Sequence, residues 1–401
     1  MNKLCIEDVR LSGKRVFVRV DFNVPLDEHG NIADDVRIRA ALPTINHLVD
    51  ENCRVIIASH FGRPKGERNM KYSLAPVRKR LERLLNKKVL FSDDCVGVKV
   101  KQMIHELGPG QVLLLENLRF HKGEKMNDRE FAKDLADDCE VYVNDAFGAA
   151  HRTHASIDAI TEFIPVAAAG YLMKKEIEYF DQVWAAPVRP MAAILGGAKV
   201  SDKIGVILNL IERVEKVLIG GGMMFTFLKA MGYEIGNSIV ESDMQDVARE
   251  IMEKAREHNV KFYLPVDCVV ADKVDPSAEI RIVPVQEIPE GWSGLDIGPA
   301  TMRLFAQALQ NARTILWNGP MGLFEMEKFS RGTRFMAHTV ADSYALTIVG
   351  GGDTDVAVHK AGESPNISYI STGGGAFLQL MEGKELPGLA ALTDKQSAAV
   401  D

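Results

Sequence analysis

ALTIVGGGDTDVAV, Ala345–Val358, is the stretch whose reading decides the fold. Its β-rich apolar run, Ala345–Val349, meets three glycines, after which Asp353 and Thr354 are placed to cap a helix beginning near Asp355. The order is strand, tight turn, helix start. Glycine lets backbone N–H groups come close to a ligand, and the first turn of a helix holds N–H groups with no internal partner, so this junction can cradle a phosphate. Alone it could equally be an ordinary strand-to-helix turn. Repetition favours the cradle: apolar runs also end in glycine at Met191–Gly197, Val217–Gly222, Ile315–Gly322 and Tyr369–Gly375.

A chain of 401 residues, 46% hydrophobic and 26% charged, exceeds the usual size of a single core and implies two globular domains. The net charge of −7 is uneven, with 26 Lys/Arg against 25 Asp/Glu in residues 1–170 and 22 against 30 thereafter. That balance argues against nucleic acid as a partner while leaving room for a local basic site. Five scattered cysteines, Cys5, Cys53, Cys95, Cys139 and Cys268, suit neither a disulfide framework nor a zinc cluster and read as free thiols. The N-terminus lacks the apolar core of a signal peptide and no apolar run is long enough to span a bilayer, so a cytoplasmic protein with no membrane partner is expected.

The first half alternates apolar runs with helix-like stretches. Val16–Val20, Val55–Ala58, Val112–Leu115 and Val141–Val143 read as strands, and Arg37–Asp50, Leu74–Asn86 and Asp128–Asp138 as helices. Short continuous runs of this kind suit a parallel sheet covered on both faces. Ligands of such sheets sit beyond the carboxyl ends of the strands. There the chain places Asp21 and Asn23, then His60 and Arg63, then Arg119, then Arg152. Each arginine alone is a common surface residue, and His60 alone a common structural one. Their shared place at strand ends points to a small, multiply anionic ligand held by guanidinium forks, with Asp21 and Asn23 meeting hydroxyls.

Pro165–Pro190 reads as the connector, with a helix over Tyr171–Trp184 closed by Pro187 and Pro190. A helical link between two sheets suggests a hinged cleft, and both halves share the strand-helix rhythm. In the second half Lys199 and Lys203 stand four apart; in a helix starting after Gly197 they would share one face at its positive end, a conflict that a phosphoryl group would relieve. Glu325 follows the Gly-Pro turn and could accept hydrogens from a ribose diol, while Asp353 could meet Mg²⁺ carried on nucleotide phosphates. Neither the P-loop pattern nor GxGxxG occurs, nor do HExxH or GxSxG, which leaves dehydrogenase, zincin and hydrolase chemistry without support. One half with arginines at its strand ends and one with glycines point to phosphoryl transfer between a compact anion and a nucleotide, which needs no general base. A kinase of another small acid and a non-catalytic nucleotide-binding module are the remaining alternatives.

RVDFNVPL (Arg19–Leu26), SHFGRPKG (Ser59–Gly66), ENLRFHKGE (Glu116–Glu124), NDAFGAAHRTHAS (Asn144–Ser156), LGGAKVSDK (Leu195–Lys203), LIGGGM (Leu218–Met223), WNGPMGLFE (Trp317–Glu325) and VGGGDT (Val349–Thr354) resemble the phosphoglycerate kinase family, in unbroken order from about Ser12 to Leu389. Phe61 and Thr153, where family members often carry Leu and Ala, are small departures.

The resemblance implies an α/β protein of two Rossmann-like three-layer (αβα) domains with mostly parallel sheets, joined by a hinge helix around a central cleft. Residues 1–170 would bind phosphoglycerate, 171–187 form the hinge helix and linker, 188–386 bind nucleotide, and 387–401 return to the first domain. The implied reaction passes the acyl phosphate of 1,3-bisphosphoglycerate to MgADP, giving 3-phosphoglycerate and MgATP. Matching positions assign Asp21, Asn23, Arg37, His60, Arg63, Arg119 and Arg152 to the glycerate. Lys203, Gly220, Gly221, Gly222, Gly294, Pro320, Glu325, Gly351, Gly352, Asp353 and Thr354 fall to the nucleotide. Arg37 and Lys199, with Lys203, would stabilise the transferring phosphoryl, and Asp353 would meet the Mg²⁺. The resemblance also implies a monomer.

Overall fold

A computed structural model describes residues 2–395. The chain divides into two compact units, one of residues up to Asp181 together with the segment from Glu385 onward, the other of Gln182–Lys384.

The first unit is built on six parallel strands: β1 (Arg15–Val20), β2 (Arg54–Ala58), β3 (Val89–Phe91), β4 (Val112–Leu114), β5 (Val141–Asp145) and β6 (Ala167–Ala169), in the spatial order β3-β4-β2-β1-β5-β6. Helices α1 (Val36–Asp50), α2 (Ala75–Leu85), α3 (Val98–His105), α4 (Lys122–Lys125) and α5 (Arg129–Ala136) intervene. Val16, Val18 and Val20 of β1 bury against Ile38, Ile45 and Leu48 of α1 and Val77 and Leu81 of α2. On the other face Phe17 stacks on Tyr142, centroids 6.1 Å apart, and both rings are fully buried. Successive strand side chains point to opposite faces, so burial of both sets explains why these strands read as continuous apolar runs. Register pairs Val16 with Val55 and with Val141, which brings the carboxyl ends of β2, β1 and β5 level.

Helix α6 (Tyr171–Trp184) contains the division between the units. The second unit also carries six parallel strands: β7 (Met191–Leu195), β8 (Lys216–Ile219), β9 (Lys261–Tyr263), β13 (Thr314–Asn318), β14 (Leu346–Gly350) and β15 (Tyr369–Ile370), ordered β15-β14-β13-β7-β8-β9. Its helices are α7 (Ile204–Ile211), α8 (Met224–Ala230), α9 (Gln245–Glu257), α10 (Pro299–Leu309), α11 (Arg331–Ala341), α12 (Gly352–Lys360) and α13 (Gly374–Met381). One part departs from the strand-helix rhythm expected of both halves. β10 (Asp267–Ala271), β11 (Ile280–Pro284) and β12 (Ser293–Ile297) form a separate antiparallel sheet, ordered β11-β10-β12. β11 is largely exposed, so its apolar and polar residues carry no core pattern that the sequence could betray.

The segment after Lys384 belongs to the first unit. α14 (Pro387–Ala390) lies against Ala150, with Gly388 N donating to Ala150 O at 2.8 Å, and Thr393 N donates to Ala167 O at 2.9 Å beside β6. The part of the expected tail contact that falls on residues 396–401 lies outside the described residues. All five cysteines are free. Among the described residues no helix is long and apolar enough to cross a membrane.

Candidate active site

Each unit carries one set of candidate residues. In the first, four neighbouring strands deliver them from their carboxyl ends. Asp21 and Asn23 follow β1, His60 follows β2, Arg119 sits in a 3-10 turn (Leu118–Phe120) after β4, and Arg152 follows β5. Arg37 reaches the group from the first turn of α1, its Nη1 donating to Asp21 Oδ2 at 2.9 Å. Arg63 is exposed, and its charge is felt at Arg152.

Asn23 and Asn117 hold the loops in place. Gly62 N donates to Asn23 Oδ1 at 2.8 Å. Asn117 Oδ1 accepts from Phe61 N and Arg119 N, both at 3.0 Å, while its Nδ2 donates to Phe61 O and Tyr72 O. The His60 loop and the Arg119 turn are thus one hydrogen-bonded assembly.

Positive charge dominates this assembly. Burial, followed by Arg19, Arg119, Arg152 and Arg37, holds His60 well below the usual histidine range, so the ring is neutral at physiological pH. Burial, with Arg152 and Arg19 beside it, lowers Arg119 to about 10. Its Nη1 donates to Gly62 O at 2.7 Å, whereas its Nε is buried with no partner. An orphaned guanidinium donor among cations is the local signature of a site completed by an anion.

In the second unit the glycine turns after β7, β8 and β13 meet. Gly197 N donates to Pro320 O at 3.1 Å, Gly221 N to Met321 O at 3.0 Å, and Met223 N to Gly197 O at 3.0 Å. Gly221 has φ of +66°, and a Cβ there would strike the backbone of Gly197 and Pro320. Close approach of three turns therefore requires glycine. Beside them lies a cavity of about 440 Å³, with Gly221, Gly222, Gly294, Pro320, Glu325 and Asp353 in its wall. Gly220, at the head of the same turn, packs against Met321.

Two expectations at helix starts are corrected. Helix α12 begins at Gly352 and not near Asp355, with Gly351 as its N-cap residue at φ +98° and no side-chain capping bond. Three glycines let the chain turn into the helix sooner than a capping side chain would, so Asp353 sits exposed in the first turn, and Thr354 Oγ1 accepts from Gly319 N at 2.7 Å. Nor do Lys199 and Lys203 share a helical face: α7 begins at Ile204, Lys203 is its N-cap residue, and Ala198–Asp202 precede the helix as loop and turn. Val200 N and Ser201 N donate to Glu241 Oε2 at 2.6 and 3.1 Å, bonds that tie the segment before the helix, and Lys199 is exposed.

Lys203 is buried. Its Nζ donates to Asn318 Oδ1 at the end of β13, and Asn318 Nδ2 donates to Gly350 O at 2.7 Å. Burial lowers Lys203 to about 8, against the opposing pull of Asp202, Asp353 and Glu382. α13 begins at Gly374 so near α12 that a Cβ on Gly374 would lie 3.5 Å from Gly352 N, which sets two helix starts side by side. Aligned N–H groups, a buried lysine and the exposed Asp353 carboxylate fit nucleotide phosphates carrying a divalent cation, since Mg²⁺ takes one or two carboxylates plus phosphate oxygens.

Sequence reading missed Arg19, Glu124, Ser156 and Asn318, which the structure ties to these sites. Arg19 Nη2 lies 3.1 Å from His60 Nδ1. Its position, inside the apolar run of β1, was the available signal: a charge in a strand covered on both faces needs a buried partner.

A family model described as phosphoglycerate kinase matches residues 6–384. The chain is 63% identical over 385 residues to a phosphoglycerate kinase of Citrifermentans bemidjiense, covering 96% of each, and 56% identical over 397 residues to one of Aquifex aeolicus, covering 99% of this chain and all of that one. It superposes on the structure of phosphoglycerate kinase from Coxiella burnetii with a TM-score of 0.89 at 43% identity, over 99% of this chain and 100% of the other.

Proposed function

The chain belongs to the phosphoglycerate kinase family, and from that premise we propose which of its residues carry the reaction. The enzyme reversibly transfers a phosphoryl group from 1,3-bisphosphoglycerate to ADP, giving 3-phosphoglycerate and ATP. In the ATP-consuming direction a carboxylate oxygen of 3-phosphoglycerate forms the new bond to the γ-phosphorus as the bond to the bridging oxygen breaks, releasing ADP. A carboxylate of this kind loses its proton at about pH 3.5 and is ionised at neutral pH, so no proton has to be removed and charge neutralisation must lower the barrier.

We assign the glycerate to residues 1–170, through Asp21, Asn23, Arg37, His60, Arg63, Arg119 and Arg152. The nucleotide falls to 188–386, through Lys203, Gly220, Gly221, Gly222, Gly294, Pro320, Glu325, Gly351, Gly352, Asp353 and Thr354, with 171–187 linking the two. Arg37, Lys199 and Lys203 neutralise the transferring phosphoryl. Asp353 would hold Mg²⁺ on the nucleotide phosphates, where the ion screens charge on the leaving group. A cytoplasmic monomer with neither nucleic acid nor membrane as a partner completes the reading, in keeping with the free thiols.

The observation that carries the assignment is the unpartnered, buried Arg119 Nε beside Arg152 and Arg19. A coupled assay tests it: 3-phosphoglycerate with MgATP turns over, and acetate or aspartate does not. Arg37→Ala and Lys199→Ala should lower kcat by at least about a hundredfold, because their charges act mainly in the transition state. Wild-type turnover in either variant would remove that residue from the mechanism.

A further inference from the structure

Arg19 is the penultimate residue of β1 with its side chain wholly buried, and each bond it makes has a defined direction. Nε donates to Ser156 Oγ at 2.8 Å, Nη1 donates to Val20 O, and Nη2 stands 3.1 Å from His60 Nδ1. A guanidinium has donors only, and it does not lose its proton in proteins. His60 Nδ1 must therefore be the acceptor, with a lone pair and no hydrogen.

Arg19 is itself anchored. Ser156 Oγ donates to Glu124 Oε1 at 2.7 Å and Ser156 N to Oε2 at 3.0 Å, while Glu124 Oε1 lies 3.9 Å from Arg19 Nη2 and 3.6 Å from His154 Nδ1. Glu124 is fully buried, which by itself would raise its pKa; the nearby His154 ring, the charge of Arg19 and the bonds from Ser156 outweigh burial and keep it low, so it remains a carboxylate. The buried cation thus has a buried anion, bridged by one hydroxyl, and the assembly has no freedom to rotate away from His60.

We propose that Arg19, fixed by Glu124 through Ser156, is a positioning residue that locks His60 as a neutral imidazole carrying its proton on Nε2. The ring then serves substrate only as a hydrogen-bond donor. Nε2 lies 3.8 Å from Asp21 Oδ1, on the side from which Arg37 also reaches Asp21. The charges that act on the ring are Arg19 from β1, Arg119 from the turn after β4, Arg152 from beyond β5 and Arg37 from α1, with the Asp21 carboxylate 3.8 Å from Nε2 and Glu124 behind Arg19. Burial and these four cations oppose a second proton on the ring. Given the assignment of glycerate to this unit, on which this step rests, the ligand atom that Nε2–H meets is an oxygen acceptor, a carboxylate or hydroxyl oxygen of the acid, and this contact does not switch with pH.

Long-range ¹H–¹⁵N correlation on the full chain, labelled at histidine nitrogens and free of substrate, reads the tautomer directly. His60 should show an unprotonated Nδ1 and a protonated Nε2, unchanged between about pH 5 and 8. Titration near the ordinary value of about 6.5, or the opposite tautomer, would overturn the proposal. Arg19→Lys keeps the charge opposite Glu124 but has a single nitrogen, unable to hold Ser156 and His60 in the Arg19 geometry. In that variant His60 should show averaged tautomers, with KM for 3-phosphoglycerate up about tenfold and kcat changed much less. Ser156→Ala, which removes the bridging hydroxyl, should move the His60 signals the same way. A pure Nε2–H tautomer in both variants would defeat the role given to Arg19. His60→Ala separates the two readings: an unchanged KM there would refute the glycerate assignment while leaving the tautomer result standing.

Discussion

Lys203 and His60 show how burial fixes charge before any ligand arrives. Burial brings Lys203 down to about 8, so below that pH the free protein already carries the cation that nucleotide phosphates require. Above it, binding must first restore the proton. ADP affinity should therefore fall as pH rises from about 8 to 9.5, by as much as tenfold per unit, and calorimetric titration at several pH values checks this. Affinity flat across that range would mean that Lys203 does not face the phosphates. His60, Arg63, Arg119 and Arg152 were legible in the sequence because each stands in the segment that follows an apolar run, Arg152 farthest from its run. Arg19 and Asn318 were not: Arg19 stands inside β1 and Asn318 closes β13, and at both positions a polar residue looks like an interruption until its buried partner is seen. Arg37 was legible only by family resemblance, since the start of α1 and the end of β1 are brought together by the fold and not by sequence spacing.

At the scale of elements the strands and the starts of α1, α2, α5 and α6 were read closely, and the helix starts beside the glycine turns were not. Continuous apolar runs located β1, β2, β4 and β5 to within a residue or two, because both faces of each are buried. The start of α12 came three residues earlier than expected, since glycine permits turns that capping rules do not describe, and that of α7 several residues later, after a segment tied to Glu241. The laced glycine turns permit a differential test. Gly221→Ala meets both a positive φ and the backbone of Gly197 and Pro320, whereas Gly232→Ala meets a positive φ of +91° with nothing within 4 Å. Gly221→Ala should be the more destabilising, by about 1–3 kcal/mol, and should weaken nucleotide binding as well; equal losses would contradict the contact.

Asp296 is a second device of the same unit. It lies at the end of β12 in the cavity wall, where its Oδ2 accepts from Gly332 N at 2.8 Å and its Oδ1 from Ile297 N at 2.9 Å. Burial raises it to about 8, well above its unfolded value of about 3.8. The unfolded chain then releases its proton first as pH rises. Asp296 thus lowers stability progressively between about pH 4 and 8 and adds no further slope above. Thermal melts of Asp296→Asn should vary less steeply with pH over that window than those of the wild type, and parallel curves would place Asp296 in a more polar setting.

For the whole molecule the informative feature is that the first unit is discontinuous in sequence. Leu4 N donates to Thr393 O at 2.8 Å, Lys3 Nζ meets Asp394 at 3.0 Å, and Asn144 Nδ2 donates to Gly388 O at 3.2 Å. Leu386, Leu389 and Leu392 are almost wholly buried. Burying a leucine is worth about 1.5–3 kcal/mol, so removing residues from 385 onward should lower the melting temperature of the first unit by about 10 °C or more while leaving the second unit's transition in place. An unshifted transition would show that these contacts contribute nothing. The two-unit α/β organisation was legible from length and rhythm. The antiparallel sheet β10–β12 was not, for the exposed β11 buries no face that would impose a pattern.

This discontinuity also orders events during synthesis on the ribosome. Everything needed for the second unit, Gln182–Lys384, has been polymerised before the segment that completes the first unit emerges. The half translated earliest is thus the last to be finished: it waits, with the neighbourhood of β6 and Ala150 uncovered, until the final leucines leave the exit tunnel.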